Sequence, residues 1–255
     1  MKQFLSLTAT NFYRSLFSGR FVFSVLGVIT VLFLTSFGMM NSDSDVVSVF
    51  MISGSGNMVL IMGVLPLLPF AMSFAMEWEE RSAGFWMIRT GIRNYALSKV
   101  LVSAITGILA TFSGILLYAI LLLVKLPLYN ALNSSGDPYA PLLEAGMPVT
   151  YLLSYALHIS LSSALFAVAA LWISAYFPNP FSTLAAPIVL YFILFRLTRT
   201  WGIPEFLSLV WIVEGPYHAG SPLLSLLLKL GTVIVLCLLM GYGTVVQIRR
   251  RVQYD

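Results

Sequence analysis

The sequence has few charged residues and few of the side chains that bind metals. Only 9% of its 255 residues are Asp, Glu, Lys or Arg, and it has one cysteine and two histidines. Cys237 alone cannot form a disulfide within the chain, and His158 and His218 do not have the spacing of a usual zinc site. No G-x-x-x-x-G-K-[ST] sequence occurs, so the chain has no phosphate-binding loop of its own. We therefore expect no catalytic residue, no metal, no bound cofactor and no enzymatic activity from the chain alone.

The chain is instead rich in apolar residues. Hydrophobic residues make up 59% of the chain and the mean hydropathy is +0.91, which is far from the composition of soluble domains. Roughly 20 apolar residues in a helix cross the hydrocarbon core, and within lipid such runs must be helical to satisfy their backbone groups. The sequence predicts an all-α polytopic membrane protein with six transmembrane helices. Their expected positions are 21–40, 57–76, 100–124, 149–176, 181–197 and 223–246. Residues 41–56, which are polar around Asp45, are expected to form the first outer loop.

The distribution of Lys and Arg indicates how these helices are oriented. If the N-terminus lies in the cytoplasm, most of the 14 basic residues fall on the cytoplasmic side, as the positive-inside rule requires. Six spans then place both termini in the cytoplasm. The net charge of +4 follows from this bias and gives no reason to expect nucleic-acid binding.

Residues 2–18, which precede the first span, predict a short amphipathic helix in the membrane interface. Leu5, Ala9, Phe12 and Leu16 recur at helical spacing. This helix would either only anchor the first span or also form part of a docking platform for a partner.

The segment at 200–222, before the last span, is apolar but too short to cross the membrane. It predicts a re-entrant or interfacial segment on the outer side, which must be covered by protein or line a cavity. The acids in it could pair with nearby basic residues, although snorkelling to the interface also accounts for these charges. Its characteristic residues are Trp201, Glu205, Phe206, Trp211 and Glu214.

Three features interrupt the apolar character of the predicted spans. His158 lies inside the fourth span and is a functional candidate, although a neutral histidine bonded to a neighbouring helix is the simpler interpretation. Pro66 and Pro69 predict a kink in the second span. Small pairs such as Ser163 and Ala167 predict close helix packing, either within the bundle or between subunits.

Charge is concentrated in the loop between the second and third predicted spans, residues 77–99. Phe85, Ile88 and Ile92 recur at i, i+3 and i+7, while Arg89 and Arg93 lie on another face. This spacing predicts a short amphipathic helix along the membrane surface. Such a helix could bind lipid headgroups or fit a groove on a soluble partner, and its residues alone leave both open.

The same loop contains Glu77-x-Glu79-Glu80-Arg81-x-x-Gly84, then Arg89, Arg93-Asn94-Tyr95 and Ser98-Lys99 at the start of the next span. This pattern resembles the second-to-third-span loop of ABC-2-type permeases, the membrane subunits of ABC exporters. The layout is similar too, with an N-terminal interfacial helix, six spans and a re-entrant segment before the last span.

The resemblance implies that 82–93 is a coupling helix contacting a cytoplasmic ABC ATPase subunit, which would bind ATP and Mg. It also implies a second permease copy or a related permease, and an outer gate at 200–222. The chain looks most like small bacterial exporters of peptides, including the lantibiotic-immunity type, in the plasma membrane. The alternatives are a secondary transporter and a non-transporting scaffold or sensor. The residues expected to couple to the ATPase are Glu77, Glu79, Glu80, Arg81, Gly84, Phe85, Trp86, Arg89 and Arg93.

Overall fold

The computed structural model describes residues 2–38, 44–55, 58–130, 136–200 and 218–254. These residues are mostly helical and include no strand, which confirms the all-α prediction for the described part of the chain. The α-helices are α1 Lys2–Leu16, α2 Gly19–Ser36, α3 Val46–Ser55, α4 Ser73–Glu79, α5 Ala83–Thr90, α6 Ile92–Leu123, α7 Ala140–Glu144, α8 Pro148–Tyr176, α9 Pro180–Thr200 and α10 Pro222–Tyr254.

Five of these helices are long and apolar enough to cross a membrane. They are α2, α6, α8, α9 and α10. Five of the six predicted spans fall on them, and the chain has the character of a multi-pass membrane protein. The predicted span at 57–76 is the exception.

That predicted span is not a continuous α-helix. Its described part contains a π-helical stretch, Leu60–Val64, and a 3₁₀ stretch, Leu65–Leu67, and turns precede α4. Pro66 and Pro69 cause the break, because proline cannot donate to the carbonyl four residues earlier and its ring collides with it. Pro69 cannot donate to the Leu65 carbonyl, which instead accepts from the Leu68 amide at 3.2 Å and from the Ser24 hydroxyl of α2 at 2.7 Å.

A helix also lies where the sequence predicted an outer loop at 41–56. Asp45 begins α3 as a cap: its Oδ1 accepts from the Ser48 amide at 2.6 Å, and the Ser48 hydroxyl accepts from the Asp45 amide at 3.2 Å. Val46, Val47 and Phe50 are buried. The polar residues around Asp45 are thus a helix start, and the loop prediction was wrong for residues 46–55.

The segment from α3 to α4 runs alongside α6 and is antiparallel to it. At its start, the Val46 amide donates to the Pro127 carbonyl at 3.0 Å, just beyond the last residue of α6. At its end, Glu77 bonds to Tyr95 and Lys99 in the first turns of α6. We call the end with α4 and α5 the α5 end, and the end with α7 and the start of α3 the α7 end.

Both ends of the described chain lie at the α5 end. Asn11 of α1 donates through Nδ2 to the Ser98 hydroxyl of α6 at 2.9 Å. The Arg251 guanidinium of α10 lies 5.2 Å from the centre of a Trp78 ring in α4. The first and last described helices therefore meet the same part of the molecule.

Helix α8 is the centre of the bundle. In its most apolar 18-residue window, 78% of the residues are buried, against 17% in α9 and in α10. Gly107 of α6 packs so closely on α8 that a Cβ atom there would lie 3.1 Å from the Ser163 carbonyl. Thr111 and Ser163 also join their hydroxyls at 2.7 Å. The small residues Ser163 and Ala167 of α8 therefore pack against α6, within the bundle.

Helix α1 buries against the protein a different face from the one that carries its apolar stripe. Leu7, Asn11 and Ser15 are buried, whereas Leu5 of the predicted stripe is 58% exposed. The hydrogen bond from Asn11 to Ser98 explains why this face is buried, because it offsets the cost of burying a polar side chain. The predicted helix is confirmed over 2–16, and its position in the membrane interface stays a prediction.

Candidate functional site

A tight turn between α4 and α5 presents three consecutive charged residues at the surface. Glu79, Glu80 and Arg81 are all exposed. The Ser82 amide donates to the Glu77 carbonyl at 2.9 Å and the Arg81 amide donates to the Trp78 carbonyl at 3.0 Å. These two bonds form a Schellman motif, which closes a helix by placing one residue in the left-handed region.

Arg81 occupies that left-handed position, with φ of 56°. Glycine usually stands there, because a Cβ atom in this conformation costs about 1–2 kcal/mol. Strained residues of this kind are concentrated at functional sites, where the surrounding structure holds them in place. We call residues 79–81 the charged turn.

Glu77 lies beneath the charged turn and is buried. Its Oε2 accepts from the Tyr95 hydroxyl at 2.6 Å, and its Oε1 lies 2.6 Å from the Lys99 ammonium. Lys99 is only 1% exposed, and its ammonium lies 4.7 Å from the centre of the Phe70 ring. The sequence had placed Glu77 and Lys99 in an exposed loop, and this was wrong. Together they join the end of α4 to the start of α6.

Helix α5 is short and exposes its apolar side. Ala83 and Met87 are buried against the protein, while Phe85 is 77% and Ile88 is 87% exposed. Gly84, which follows Ala83, is also exposed. The predicted apolar pair Phe85 and Ile88 does project from one side of the helix, and that side faces away from the rest of the chain.

The predicted coupling helix at 82–93 is interrupted by Gly91. Its φ of +82° ends α5 at Thr90, and α6 begins at the next residue, Ile92. Arg93 is therefore exposed in the first turn of α6 and is not part of α5. A pattern of helical spacing cannot detect such a break, because it does not see the conformation that a glycine permits.

Helices α1 and α5 enclose a groove of about 500 Å³. Arg14 of α1 approaches the same place, with its guanidinium 6.0 Å from the centre of the Trp86 ring. Arg14 and Arg89 are both exposed. In the part of the chain that the structure describes, no acidic side chain lines the groove. The lining residues include Gln3, Ser6, Thr10, Trp86, Arg89 and Thr90.

A second polar cluster lies at the α7 end, around His158. His158 is 5% exposed, and its Nδ1 is 2.9 Å from the Tyr139 hydroxyl. Asp137 accepts from the Tyr139 amide at 2.8 Å and from the Tyr151 hydroxyl. The predicted bonded histidine is thus observed, although its partner belongs to the turn before α7 and not to a long neighbouring helix. Its Nε2 has no hydrogen-bond partner among the described residues.

Burial and the nearby Asp137 carboxylate raise the pKa of the Tyr139 phenol. The hydroxyl therefore keeps its proton and can donate a hydrogen bond to Nδ1 of a neutral His158 imidazole. Sequence reasoning identified His158 but missed Asp137, Tyr139 and Tyr151. No spacing pattern links the turn at 137–139 to α8, and only the fold brings them together.

The predicted outer gate lies outside the described residues. This applies to Trp201, Glu205, Phe206, Trp211 and Glu214. The predictions made for these residues stay predictions.

Comparison of the chain with models of known protein families, with curated proteins and with solved structures finds no match.

Proposed function

We propose that this chain is the permease subunit of an ATP-driven exporter, with ATP hydrolysed by a separate cytoplasmic subunit. The observation that carries the proposal is the charged turn, in which Arg81 is held in a strained conformation beside exposed Glu79 and Glu80. An exposed, strained and charged turn at the tip of a largely apolar bundle is suited to contact with a soluble protein.

The charged turn is connected to the bundle by the buried pair of Glu77 and Lys99. A force applied to the turn would therefore reach α6 through a short contact between two buried charges. The interrupted segment at 60–72 precedes α4 and gives it room to move relative to α2 and α6, since π and 3₁₀ stretches often mark hinges. This arrangement supports coupling between partner binding and a change in the bundle.

Six membrane crossings are part of the proposal. Five are the long helices, and the sixth is the interrupted segment from α3 to α4, which runs the length of α6. An even number of crossings would put both ends of the chain on the same side of the membrane, and both described ends do lie at the α5 end. From the positive-inside rule, we propose that both termini and the charged turn lie in the cytoplasm of a bacterial cell.

The remaining parts of the proposal follow from the resemblance to ABC-2-type permeases. The ATPase subunit would hold ATP and Mg, and Glu79, Glu80, Arg81, Gly84 and Phe85 would contact it. A second copy of this chain, or a related permease, would complete the pathway. The substrate would be a peptide or another amphipathic molecule, and we propose no role in binding nucleic acid.

Purification of the tagged chain from its native membrane tests the proposal directly. We expect a soluble protein with a G-x-x-x-x-G-K-[ST] motif to remain bound in stoichiometric amount. The double variant Glu79→Ala/Glu80→Ala should lose that protein and still insert into the membrane. Arg250→Ala, which removes an exposed charge elsewhere on the chain, is the matched control and should retain it. Retention of the protein by the double variant would refute the role of the charged turn.

A secondary transporter is the second candidate, and one observation favours it. Ion-coupled carriers bury titratable groups among their helices, and both the Glu77–Lys99 pair and His158 are buried. Uptake or efflux by ATP-free vesicles under an imposed ion gradient would support this candidate. Activity that requires ATP and the partner subunit would exclude it.

A further inference from the structure

We propose that the groove between α1 and α5 binds the phosphate headgroup of an anionic phospholipid. The proposal rests on the membrane location of the chain and not on its role as an exporter. It assigns to Arg89 and Arg14 a ligand that the partner-binding surface at the charged turn does not use.

The groove has the charge and the donors for a phosphate. Arg89 lies in the last turn of α5, is exposed, and makes no hydrogen bond or ion pair with the described residues. Its guanidinium is therefore available for the bidentate contact that arginine makes with phosphate oxygens. Arg14 supplies a second guanidinium from α1, beside Trp86.

The surrounding side chains allow an anion to enter. None of the described residues that line the groove is acidic, and Gln3 adds an amide to the polar lining. The acids of this region precede α5, whereas Arg89 is near its other end, so charge is separated along the helix. An anion at the Arg89 end thus meets the Arg89 guanidinium, with Arg14 near the same groove beside Trp86.

The apolar residues beside the groove indicate a lipid in preference to a free phosphate ion. Leu5 of α1 is 58% exposed and Ile88 of α5 is 87% exposed. Amphipathic helices at a membrane surface bury such side chains at the boundary of headgroups and acyl chains, and tryptophan is enriched at the same depth. A phospholipid bound here would place its phosphate at Arg89 and its acyl chains along these side chains.

The test measures how much lipid stays bound to the purified full-length chain. Native mass spectrometry would compare phosphatidylglycerol with phosphatidylcholine, each added at the same concentration in mild detergent. We expect phosphatidylglycerol to be retained preferentially and Arg89→Gln to reduce its retention roughly 10-fold, the loss expected for charge-assisted hydrogen bonds. Arg89→Lys should retain an intermediate amount, because it keeps the charge but loses the planar fork.

The control variant is Arg250→Gln, which removes an exposed arginine from α10 and should leave retention unchanged. Unchanged unfolding temperatures would show that all variants are folded. Equal phosphatidylglycerol retention by Arg89→Gln and the unmodified chain would overturn the proposal. Displacement of the lipid by millimolar inorganic phosphate would also overturn it, in favour of a free-anion site.

A third result identifies a protein ligand in place of a lipid. If Arg89→Gln loses the co-purifying ATPase subunit and the unmodified chain holds no preferred lipid, the groove belongs to the partner interface. The Glu79→Ala/Glu80→Ala variant separates this failure from failure of the exporter proposal, because it tests partner binding away from the groove.

Discussion

The charged turn at the α5 end of the bundle and the carboxylates of Asp45 and Asp137 at the α7 end differ in exposure. At the α5 end, Glu79, Glu80 and Arg81 are exposed in a strained turn. At the α7 end, Asp45 is 0% and Asp137 is 8% exposed. The first arrangement leaves charge available to another molecule, and the second uses charge to hold the chain together.

Hydrogen bonds explain how the α7 end can bury its carboxylates. A buried carboxylate is costly unless donors replace the water it has lost. Asp45 accepts from the Ser48 and Asn130 amides, and Asp137 accepts from the Tyr139 amide and the Tyr151 hydroxyl. These bonds connect α3, α7 and α8 to the segments between them. The buried carboxylates of the α7 end therefore stabilise the fold, whereas the exposed acids of the charged turn are the ones we propose to contact a partner.

The largest expected effect would come from the buried pair of Glu77 and Lys99 at the α5 end. Lys99→Met leaves Glu77 as a buried and unpaired charge, and we expect a loss of about 3–5 kcal/mol in the free energy of unfolding. The double variant Glu77→Gln/Lys99→Met should recover much of that loss, because neither charge remains. Denaturant unfolding in detergent would measure both. A loss below about 1 kcal/mol for Lys99→Met would show that Glu77 and Lys99 do not form this contact.

The α7 end should be the next most sensitive. Asp137→Ala leaves the Tyr139 amide and the Tyr151 hydroxyl without their acceptor, and we expect a loss of about 2–3 kcal/mol. Glu144→Ala removes an exposed carboxylate from the neighbouring α7 and should change stability by less than about 0.5 kcal/mol. Equal effects of the two substitutions on thermal unfolding would contradict the distinction between buried and exposed carboxylates.

A smaller effect, with the opposite sign, is expected at the charged turn. Arg81→Gly relieves the left-handed conformation, and we expect the free energy of unfolding to rise by about 0.5–1 kcal/mol after the entropy of glycine is allowed for. Arg81→Ala removes the same charge but keeps the strain, and should give no such gain. If both variants had the same unfolding midpoint, Arg81 would not be strained in the folded protein.

The smallest effect on stability should come from the acids that we propose to be functional. The double variant Glu79→Gln/Glu80→Gln should change the free energy of unfolding by less than about 0.5 kcal/mol, since both side chains are exposed. Partner binding and ATP-dependent transport should nevertheless fall sharply. A destabilisation above about 1 kcal/mol would give the two acids a structural role like that of Asp137.

The sequence by itself determined the class of protein and the position of its charged turn. Long apolar runs can only be helices in lipid, so α2, α6, α8, α9 and α10 could be predicted from composition and length. The prolines at 66 and 69 also indicated where the second pass would bend, although not that α3 would precede it.

Tertiary structure decided which polar side chains are buried and what they bind. Glu77 and Lys99 are charged residues beside a charged turn, and only the packing of α4 on α6 shows that they face inward. Asn11 likewise bonds to Ser98, far along the chain, and Asp137 bonds to Tyr151 at the start of α8. Helical periodicity reports the spacing of residues within one helix, whereas burial depends on which other helix is adjacent. That is why the apolar helices were predictable and the faces and contacts of α1, α4 and α8 were not.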